Sequence, residues 1–268
     1  MSTMNEIVNA ATPTALAGQV ALVTGGGRGI GGSISRQLAA MGATTVICGR
    51  HQRILDETAQ AITASGGKCY PVTCDVTYLS SVEVLCNHLE QTFGRLDILV
   101  NNVGVGGPRI DNGPLHEMSP DVWDLVYKTC LRSVYYCIRT FAPMMIRAKR
   151  GHIINISNID SKKALPNRAA STAVKFAMNG LSYSVAEELR DYNIRVSVVI
   201  PGSTVAPNSN VSKVMPYTDE DFGKVLFGSD VARVIAMLVT QAPQSFVSEV
   251  VVRPIYGGQR MAKDVIVR

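Results

Sequence analysis

The chain has 268 residues, of which 46% are hydrophobic, and it carries a formal net charge of +5. This length and apolar content are sufficient for one sizeable core, and no apolar run reaches the roughly 18 residues of a membrane span. Because the basic residues are scattered and no His/Cys/Asp cluster has metal-ligand spacing, we expect no nucleic-acid partner, no membrane association and no metal site.

Apolar runs of strand length alternate with longer amphipathic stretches along most of the chain. In chain order, the patterns predict a strand at residues 20–23, a helix at 31–41, a strand at 44–48, a helix at 53–65, a strand at 69–74, a helix at 80–93, a strand at 96–100, a helix at 120–149, a strand at 152–156, a helix at 169–190, a strand at 195–199, a helix at 230–238 and a strand at 249–252. Strands that are apolar on both faces predict a parallel sheet covered by helices. Right-handed crossovers then make it a doubly wound α/β sheet, the Rossmann fold, in a single domain.

The remaining segments give weaker expectations. Residues 1–17 lack the basic segment and apolar core of a secretory signal, so we expect a flexible extension before a domain spanning residues 18–268. Residues 201–222 have no clear periodicity and are predicted to form a mobile flap over a substrate site. Six cysteines without a CxxC pair indicate free thiols in a reducing, cytoplasmic compartment.

Aromatic and imidazole side chains are assigned structural roles. Trp123, Tyr127, Tyr135 and Tyr136 have core spacing on the predicted long helix, so they are interpreted as packing residues. His116 and His152 are interpreted as loop or strand-edge residues.

A glycine-rich loop follows the first strand and precedes a helix. It reads TGGGRGIG over residues 24–31. Glycines let the backbone approach a pyrophosphate, and the helix N-terminus adds free N–H groups and a positive dipole end. The residues predicted to form this site are Gly25, Gly27, Arg28, Gly29, Ile30 and Gly31.

The end of the second strand indicates which dinucleotide is bound. NAD sites place an acidic residue there for the ribose 2′-hydroxyl, but this chain has Arg50, with Arg28 in the glycine loop. Guanidinium groups pair well with a 2′-phosphate. The sequence therefore predicts NADP(H), although Arg50 as a solvated charge at a strand end is the simpler alternative.

Several motifs occur together in the order of one known family. The loop at residues 24–31, the pair Asp75-Val76, the run Asn101-Asn102-Val103-Gly104 and the pair Pro201-Gly202 resemble those of the short-chain dehydrogenase/reductase (SDR) superfamily. Residues 245–250 resemble its 3-oxoacyl-ACP reductase-like branch. The resemblance implies that further cofactor contacts come from Asp75, Val76, Asn102, Gly104, Lys175, Pro201, Gly202 and Thr204. It also implies a homotetramer or homodimer that acts on a small-molecule substrate.

The catalytic positions of that family are largely replaced. The resemblance implies a Tyr acid four residues before a Lys, a Ser that positions the substrate oxygen, and an Asn that links the Lys to solvent. Lys175 is present, but the other three positions hold Ser171, Asn158 and Cys130. Because a phenol is the family's general acid, ordinary ketone reduction is expected to be slow or absent.

Three hypotheses remain open. The first is an NADPH-dependent reductase of a C=N bond or activated carbonyl in a bulky, natural-product-like substrate, with Asp160 as the best candidate for a working charge and Arg132 as a weaker one. A solvated loop carboxylate is the more ordinary interpretation of Asp160, as is a surface arginine for Arg132. The second is a scaffold for a non-redox cyclisation or isomerisation. The third is a cofactor-binding pseudoenzyme.

Overall fold

The computed structural model describes residues 14–105, 113–205 and 223–256. The strands are β1 (Val20–Thr24), β2 (Thr44–Gly49), β3 (Lys68–Thr73), β4 (Ile98–Asn101), β5 (Gly151–Ile156), β6 (Ile194–Pro201), β7 (Thr204–Val205), β8 (Leu226–Phe227) and β9 (Glu249–Val252). Seven of them form a parallel sheet in the order β3-β2-β1-β4-β5-β6-β9, and β7 pairs with β8 alone. The order reverses between β1 and β4, which confirms the predicted doubly wound sheet.

The described helices lie on both faces of the sheet and, with one exception, match the predicted ones to within two residues. They are α1 (Gly29–Ala40), α2 (Gln52–Ala64), α3 (Leu79–Phe93), α4 (Pro120–Tyr127), α5 (Ser133–Ala148), α6 (Ala169–Leu189) and α7 (Gly228–Val239). The exception is the predicted helix at 120–149, which a π-helical turn at Lys128–Arg132 divides into α4 and α5. An extra residue per turn cannot be read from hydrophobic periodicity.

Two large apolar layers hold five of the seven described helices on the sheet. One layer joins α3, α5 and α6 to one face, through residues such as Leu85, Phe141 and Met178. The other joins α1 and α7 to the opposite face, through residues such as Leu38 and Ile235. The central strands are buried on both faces, as predicted, whereas the edge strands β3 and β9 are only partly buried. The predicted covering of the sheet on both faces therefore extends over the central strands and only partly over the two edges.

Two assignments of aromatic and imidazole side chains need correction. Trp123, Tyr127 and Tyr135 are 39%, 42% and 47% exposed, so they are not packed within this chain as predicted, whereas Tyr136 does pack against the core. His152 is not at a strand edge: it is buried in β5, with its Nε2 2.8 Å from the Ser197 Oγ. Periodicity alone does not tell a core position from one on a helix surface that faces outward.

The predicted extension and flap are described only in part. Residues 1–13 and 206–222 lie outside the described ranges. Leu16, within the predicted extension, is fully buried, and its N–H donates to the Met41 carbonyl at 2.8 Å. At the start of the predicted flap, Pro201 ends β6 and Thr204 begins β7.

Two kinds of feature are absent from the described ranges. No helix among these residues has both the length and the apolar character to cross a membrane. Nor do these residues contain a group of three His, Cys, Asp or Glu side chains that could hold a metal ion.

Candidate active site

The glycine loop between β1 and α1 is packed too tightly for side chains. Gly25 has a φ of 65° and Gly29 a φ of 60°, a region that favours glycine. A Cβ on Gly31 would lie 2.3 Å from the Gly25 carbonyl oxygen and 2.5 Å from Asn102 Nδ2. Asn102 Nδ2 also donates to the Thr24 carbonyl at 3.0 Å. The Asn102 amide thus fixes the loop from the neighbouring strand end, β4.

The N-terminus of α1 has no side-chain cap. Its N-cap residue is Arg28, whose side chain makes no capping hydrogen bond. Ser35 stabilises the loop from within the helix, since its Oγ donates to the Gly31 carbonyl at 2.8 Å and to the Gly26 carbonyl at 3.1 Å. A helix N-terminus with free N–H groups beside a glycine loop is suited to a phosphate group.

A cavity of about 540 Å³ opens beside this loop, at the carboxyl ends of the strands around the reversal in strand order. It brings together nine of the predicted cofactor residues: Gly25, Gly27, Arg28, Gly29, Arg50, Asp75, Val76, Asn102 and Gly104. The sequence missed other residues of its lining: Cys48, Gly49, His51, Ile54, Leu55, Cys74, Thr77, Val103, Val105, Leu125 and Thr129. Most of these adjoin predicted residues in the chain, so adjacency was the available signal.

Asp75 is held in one orientation. Its Oδ1 accepts the Thr77 N–H at 3.0 Å and the Thr77 hydroxyl at 2.8 Å. Ser81 accepts the Asp75 N–H through its Oγ at 3.1 Å. The two bonds from Thr77 use one carboxylate oxygen, and together with the Ser81 bond they fix the turn after β3, which lines the cavity.

The other predicted cofactor residues do not line this cavity. Ile30 and Gly31 lie in the first turn of α1, where Gly31 packs against the Gly25 carbonyl. At the end of β6, the Gly202 N–H donates to the Val252 carbonyl at 2.8 Å, and the Thr204 hydroxyl donates to the Gly202 carbonyl at 2.9 Å. Pro201 and Lys175 are buried near the carboxyl ends of β6 and β5.

Lys175 lies buried on α6, four residues after the predicted catalytic position Ser171. It is 7% exposed, and its Nζ donates to the Ile156 carbonyl at 3.0 Å. Burial lowers the pKa of Lys175, and the neighbouring Cys130 and Asp160 oppose that shift. Ser171 lies one helical turn earlier and is 3% exposed. The spacing of four residues places both side chains on one face of α6.

Asp160 is a buried member of an ion pair, which overturns its interpretation as a solvated loop charge. It is 3% exposed, and its Oδ2 accepts from Arg168 at 2.9 Å. Asn158 Nδ2 donates to the same oxygen at 3.3 Å, and Asn158 Oδ1 accepts the Asp160 N–H at 3.1 Å. Asn158 therefore caps the short 3-10 helix Ile159–Ser161, and its side chain is turned toward Asp160.

Cys130 fastens the π-helical turn to the loop after β4. The Val105 N–H donates to the Cys130 Sγ at 3.3 Å, and the thiol donates to the Val105 carbonyl at 3.2 Å. Val105 and Gly104 line the cavity, and a Cβ on Gly104 would lie 3.8 Å from the Cys130 Sγ. The π turn thus supports one wall of the cavity.

Arg132 is half-buried at the end of the same turn. Its guanidinium carbon lies 5.7 Å from the Tyr136 ring centroid, a cation–π contact. Its Nε is buried without a hydrogen-bond partner among the described residues. The contacts found in the described ranges therefore join Arg132 to the aromatic face of α5.

Comparisons with known proteins agree with this architecture. A model of the family described as short chain dehydrogenase matches residues 19–214. A 3β-hydroxysteroid dehydrogenase 2 of Eggerthella lenta is 37% identical over 70% of this chain and 72% of its own. An uncharacterised oxidoreductase of Staphylococcus aureus is 28% identical over 90% of this chain and all of its own.

A solved structure shares both fold and sequence. A metagenomic short-chain oxidoreductase, crystallised in complex with NADP, is 42% identical and superposes with a TM-score of 0.78 over 90% of this chain and 98% of its own. Together with the family model, these matches extend over the glycine loop, the cavity and the Lys175 helix. The chain belongs to the short-chain dehydrogenase/reductase family.

Proposed function

We propose that this chain is an NADP(H)-dependent oxidoreductase whose substrate needs no strong acid from the protein. The substrate class that fits is a C=N bond, or an activated carbonyl, in a bulky natural-product-like molecule. The observation that carries the proposal is Ser171, which is buried in the first turn of α6, four residues before Lys175. The phenol that the family uses as its acid has no counterpart at that position.

The cavity fits NADP(H) better than NAD(H). Arg28 and Arg50 both line it, Arg50 is exposed, and β2 ends without an acidic side chain to accept a ribose hydroxyl. The collision that a Cβ on Gly31 would cause shows a loop built for close backbone approach. The 42% identical neighbour crystallised with NADP supports the same assignment.

The missing phenol restricts the chemistry. When bound, NADPH supplies a hydride to the substrate carbon. A ketone oxygen then needs a proton, and an aliphatic hydroxyl such as that of Ser171 is a far weaker acid than a phenol with a pKa of about 10. Removing a positioned acid costs typically 10²- to 10⁴-fold in rate. An iminium carbon needs no proton at this step.

The chain's own residues divide the remaining tasks. We assign Lys175, whose Nζ donates to the Ile156 carbonyl, to the cofactor ribose, as the family resemblance implies. Asp160 is assigned a positioning role, because Arg168 already offsets its charge and Asn158 shares the same oxygen. This changes the hypothesis that Asp160 itself stabilises a cationic substrate.

A bulky substrate is supported by a difference in sequence and by a relative. The serine at the position four residues before Lys175 has a smaller side chain than the tyrosine that the family resemblance implies there. The Eggerthella relative is named as a dehydrogenase of a 3β-hydroxysteroid, a large polycyclic molecule. A steroid ketone is therefore a rational comparison substrate.

The test is NADPH consumption against cyclic imines, a 3-ketosteroid, β-keto thioesters and simple ketones. We expect turnover with imines and little with ketones. The triple variant Ser171→Tyr, Asn158→Ser and Cys130→Asn should gain ketone reduction. Rapid ketone reduction by the native chain, with none of imines, would overturn the proposal. NADPH binding without consumption on any substrate would favour the non-redox scaffold or the pseudoenzyme.

We also propose that the chain forms a homodimer or homotetramer in the cytoplasm. The exposed Trp123, Tyr127 and Tyr135 on α4 and α5 support an interface between copies. All six cysteines are free thiols, which supports a reducing compartment. Sedimentation of the native chain and of Trp123→Ser tests the assembly.

A further inference from the structure

Two buried cysteines lie on neighbouring strand ends in the wall of the cofactor cavity. Cys48 lies on β2 opposite Val72 of β3. Cys74 comes two residues after Val72, just beyond the end of β3. Because side chains two residues apart along a strand lie on the same face, Cys48 and Cys74 share one face of the sheet. The Cys74 N–H donates to the Gly49 carbonyl at 2.9 Å, which keeps the two strand ends together. Both cysteines are among the residues that line the cavity.

The Cys74 sulfur is the better nucleophile of the two. The Ser81 hydroxyl donates to the Cys74 Sγ at 3.4 Å. The Cys74 thiol in turn donates to the Ser81 carbonyl at 3.5 Å. The neighbouring Cys48 thiol, more than Ser81, lowers the pKa of Cys74 against the opposing effect of burial. The Cys74 thiol and burial raise the pKa of Cys48. Cys74 is therefore the thiol of the pair that ionises more readily.

We propose that Cys48 and Cys74 form an oxidation-sensitive dithiol that a hydroperoxide converts to a disulfide, and that this disulfide prevents NADP(H) binding. The assignment of the cofactor rests on the proposed function. Neither thiol takes part in the hydride chemistry proposed above, which leaves them available for a separate, regulatory reaction.

The chemistry balances with one hydroperoxide. The Cys74 thiolate attacks the outer peroxide oxygen, the O–O bond breaks, and the products are a sulfenic acid and an alcohol, or water from hydrogen peroxide. The Cys48 sulfur then attacks the sulfenic sulfur, the S–S bond forms, and the hydroxyl leaves as water with the Cys48 proton. Two thiols lose two electrons in total, and the hydroperoxide gains them.

Disulfide formation would change the shape of the cavity. A disulfide needs Cβ atoms about 4 Å apart, whereas diagonal positions on neighbouring strands are farther apart, so the strand ends must shift to form it. The residues that follow the two cysteines, Gly49 with Arg50 and Asp75 with Val76, all line the cavity. A bound dinucleotide would hold these residues in place and protect the thiols.

The test treats the full chain with hydrogen peroxide and maps its peptides by mass spectrometry without reduction. We expect a cross-linked pair containing Cys48 and Cys74, at least tenfold weaker binding of NADPH, recovery with dithiothreitol, and protection by NADP⁺. NADPH binding by Cys74→Ser and by Cys48→Ser should resist peroxide. Cys69→Ser is the matched control, because Cys69 is half-buried on β3 outside the cavity lining and should leave the sensitivity unchanged.

Three outcomes would overturn the proposal: thiols that stay reduced while other residues oxidise, a cross-link between other cysteines, or a Cys48–Cys74 disulfide that leaves NADPH affinity unchanged. The cross-link is detected by mass spectrometry, and its detection does not depend on NADPH binding. Its formation in a protein whose reduced form does not bind NADPH would refute the cofactor assignment and would leave the dithiol chemistry standing.

Discussion

At the scale of single residues, the shape of the glycine loop depends on positions that have no space for one additional carbon atom. Gly31 is such a position because its missing Cβ leaves room for the Gly25 carbonyl and the Asn102 amide. The sequence pattern identified this loop correctly, since glycine spacing after a strand has few other uses. It did not reveal that Asn102 is the neighbour that sets the limit, because that contact joins residues far apart in the chain.

Gly31→Ala should therefore open the loop. The new methyl group would lie 2.3 Å from the Gly25 carbonyl oxygen, so the backbone must move. We expect at least tenfold weaker NADPH binding and a free energy of unfolding lower by about 1–3 kcal/mol. Gly180→Ala is the control, since its Cβ would meet nothing within 4 Å and should stabilise α6 slightly. Equal NADPH affinity in the two variants would contradict this account of the loop.

Asp160→Asn tests whether the buried ion pair positions the segment after β5, which holds the predicted catalytic residue Asn158. The change leaves the Arg168 guanidinium, 23% exposed, without its carboxylate. Breaking a buried pair costs about 3–5 kcal/mol, and partial exposure of Arg168 reduces this to about 2–3 kcal/mol. We expect a lower kcat with little change in KM on the substrates that the native chain turns over.

The control for this prediction is Glu57→Gln, which removes a solvent-exposed partner of Arg53 and should change stability by less than about 0.5 kcal/mol. Denaturation curves and kinetics of both variants are compared with those of the native chain. Stability loss without any change in kcat would assign Asp160 to the fold alone.

At the scale of elements, the sequence predicted which segments are strands and helices but not how the long helix is broken. The β-α alternation correctly predicted a parallel sheet. The apolar runs predicted the bounds of each of its seven strands to within two residues. The π turn at Lys128–Arg132 escaped prediction because hydrophobic periodicity does not reveal an extra residue in a turn. Nor does periodicity reveal that the Cys130 thiol in this turn bonds to both backbone groups of Val105, far from it in the chain. The burial of Asp160 escaped prediction for the same reason, since its partner Arg168 comes from the start of another element.

Cys130→Ala should weaken the wall of the cavity that this turn supports. Loss of the thiol leaves the Val105 N–H and carbonyl without their partner, at a cost of about 1–3 kcal/mol. We expect NADPH affinity to fall and α5 to be retained in far-UV circular dichroism. Cys130→Asn, which restores both a donor and an acceptor, should recover much of the NADPH affinity, and Cys69→Ala should have no effect on it. Unchanged NADPH binding by Cys130→Ala would separate the turn from the cofactor site.

At the scale of the whole molecule, the sheet contains a titratable group that links folding to pH. His152 is buried in β5, and burial lowers its pKa to about 3. In the unfolded chain the same imidazole has a pKa of about 6.5. Between these two values the unfolded state binds a proton that the folded state does not, so stability is complete above about pH 6.5 and falls as the pH decreases toward 3.

The expected dependence is a loss of up to about 1.4 kcal/mol of unfolding free energy per pH unit in that window, from this group alone. His152→Gln removes the group that takes up the proton. Its free energy of unfolding, measured from urea denaturation curves between pH 6.5 and 4.5, should therefore depend less steeply on pH. The loss of the contact with Ser197 lowers this free energy by the same amount at each pH and leaves the slope unchanged. His116→Gln is the control because His116 is 80% exposed and should keep the native slope. Asp97, whose pKa the Arg95 and Arg150 guanidinium groups lower despite burial, adds acid sensitivity in all three proteins below the unfolded Asp pKa of about 3.9, outside the measured range. A native slope retained by His152→Gln would place the acid sensitivity in other groups of the molecule.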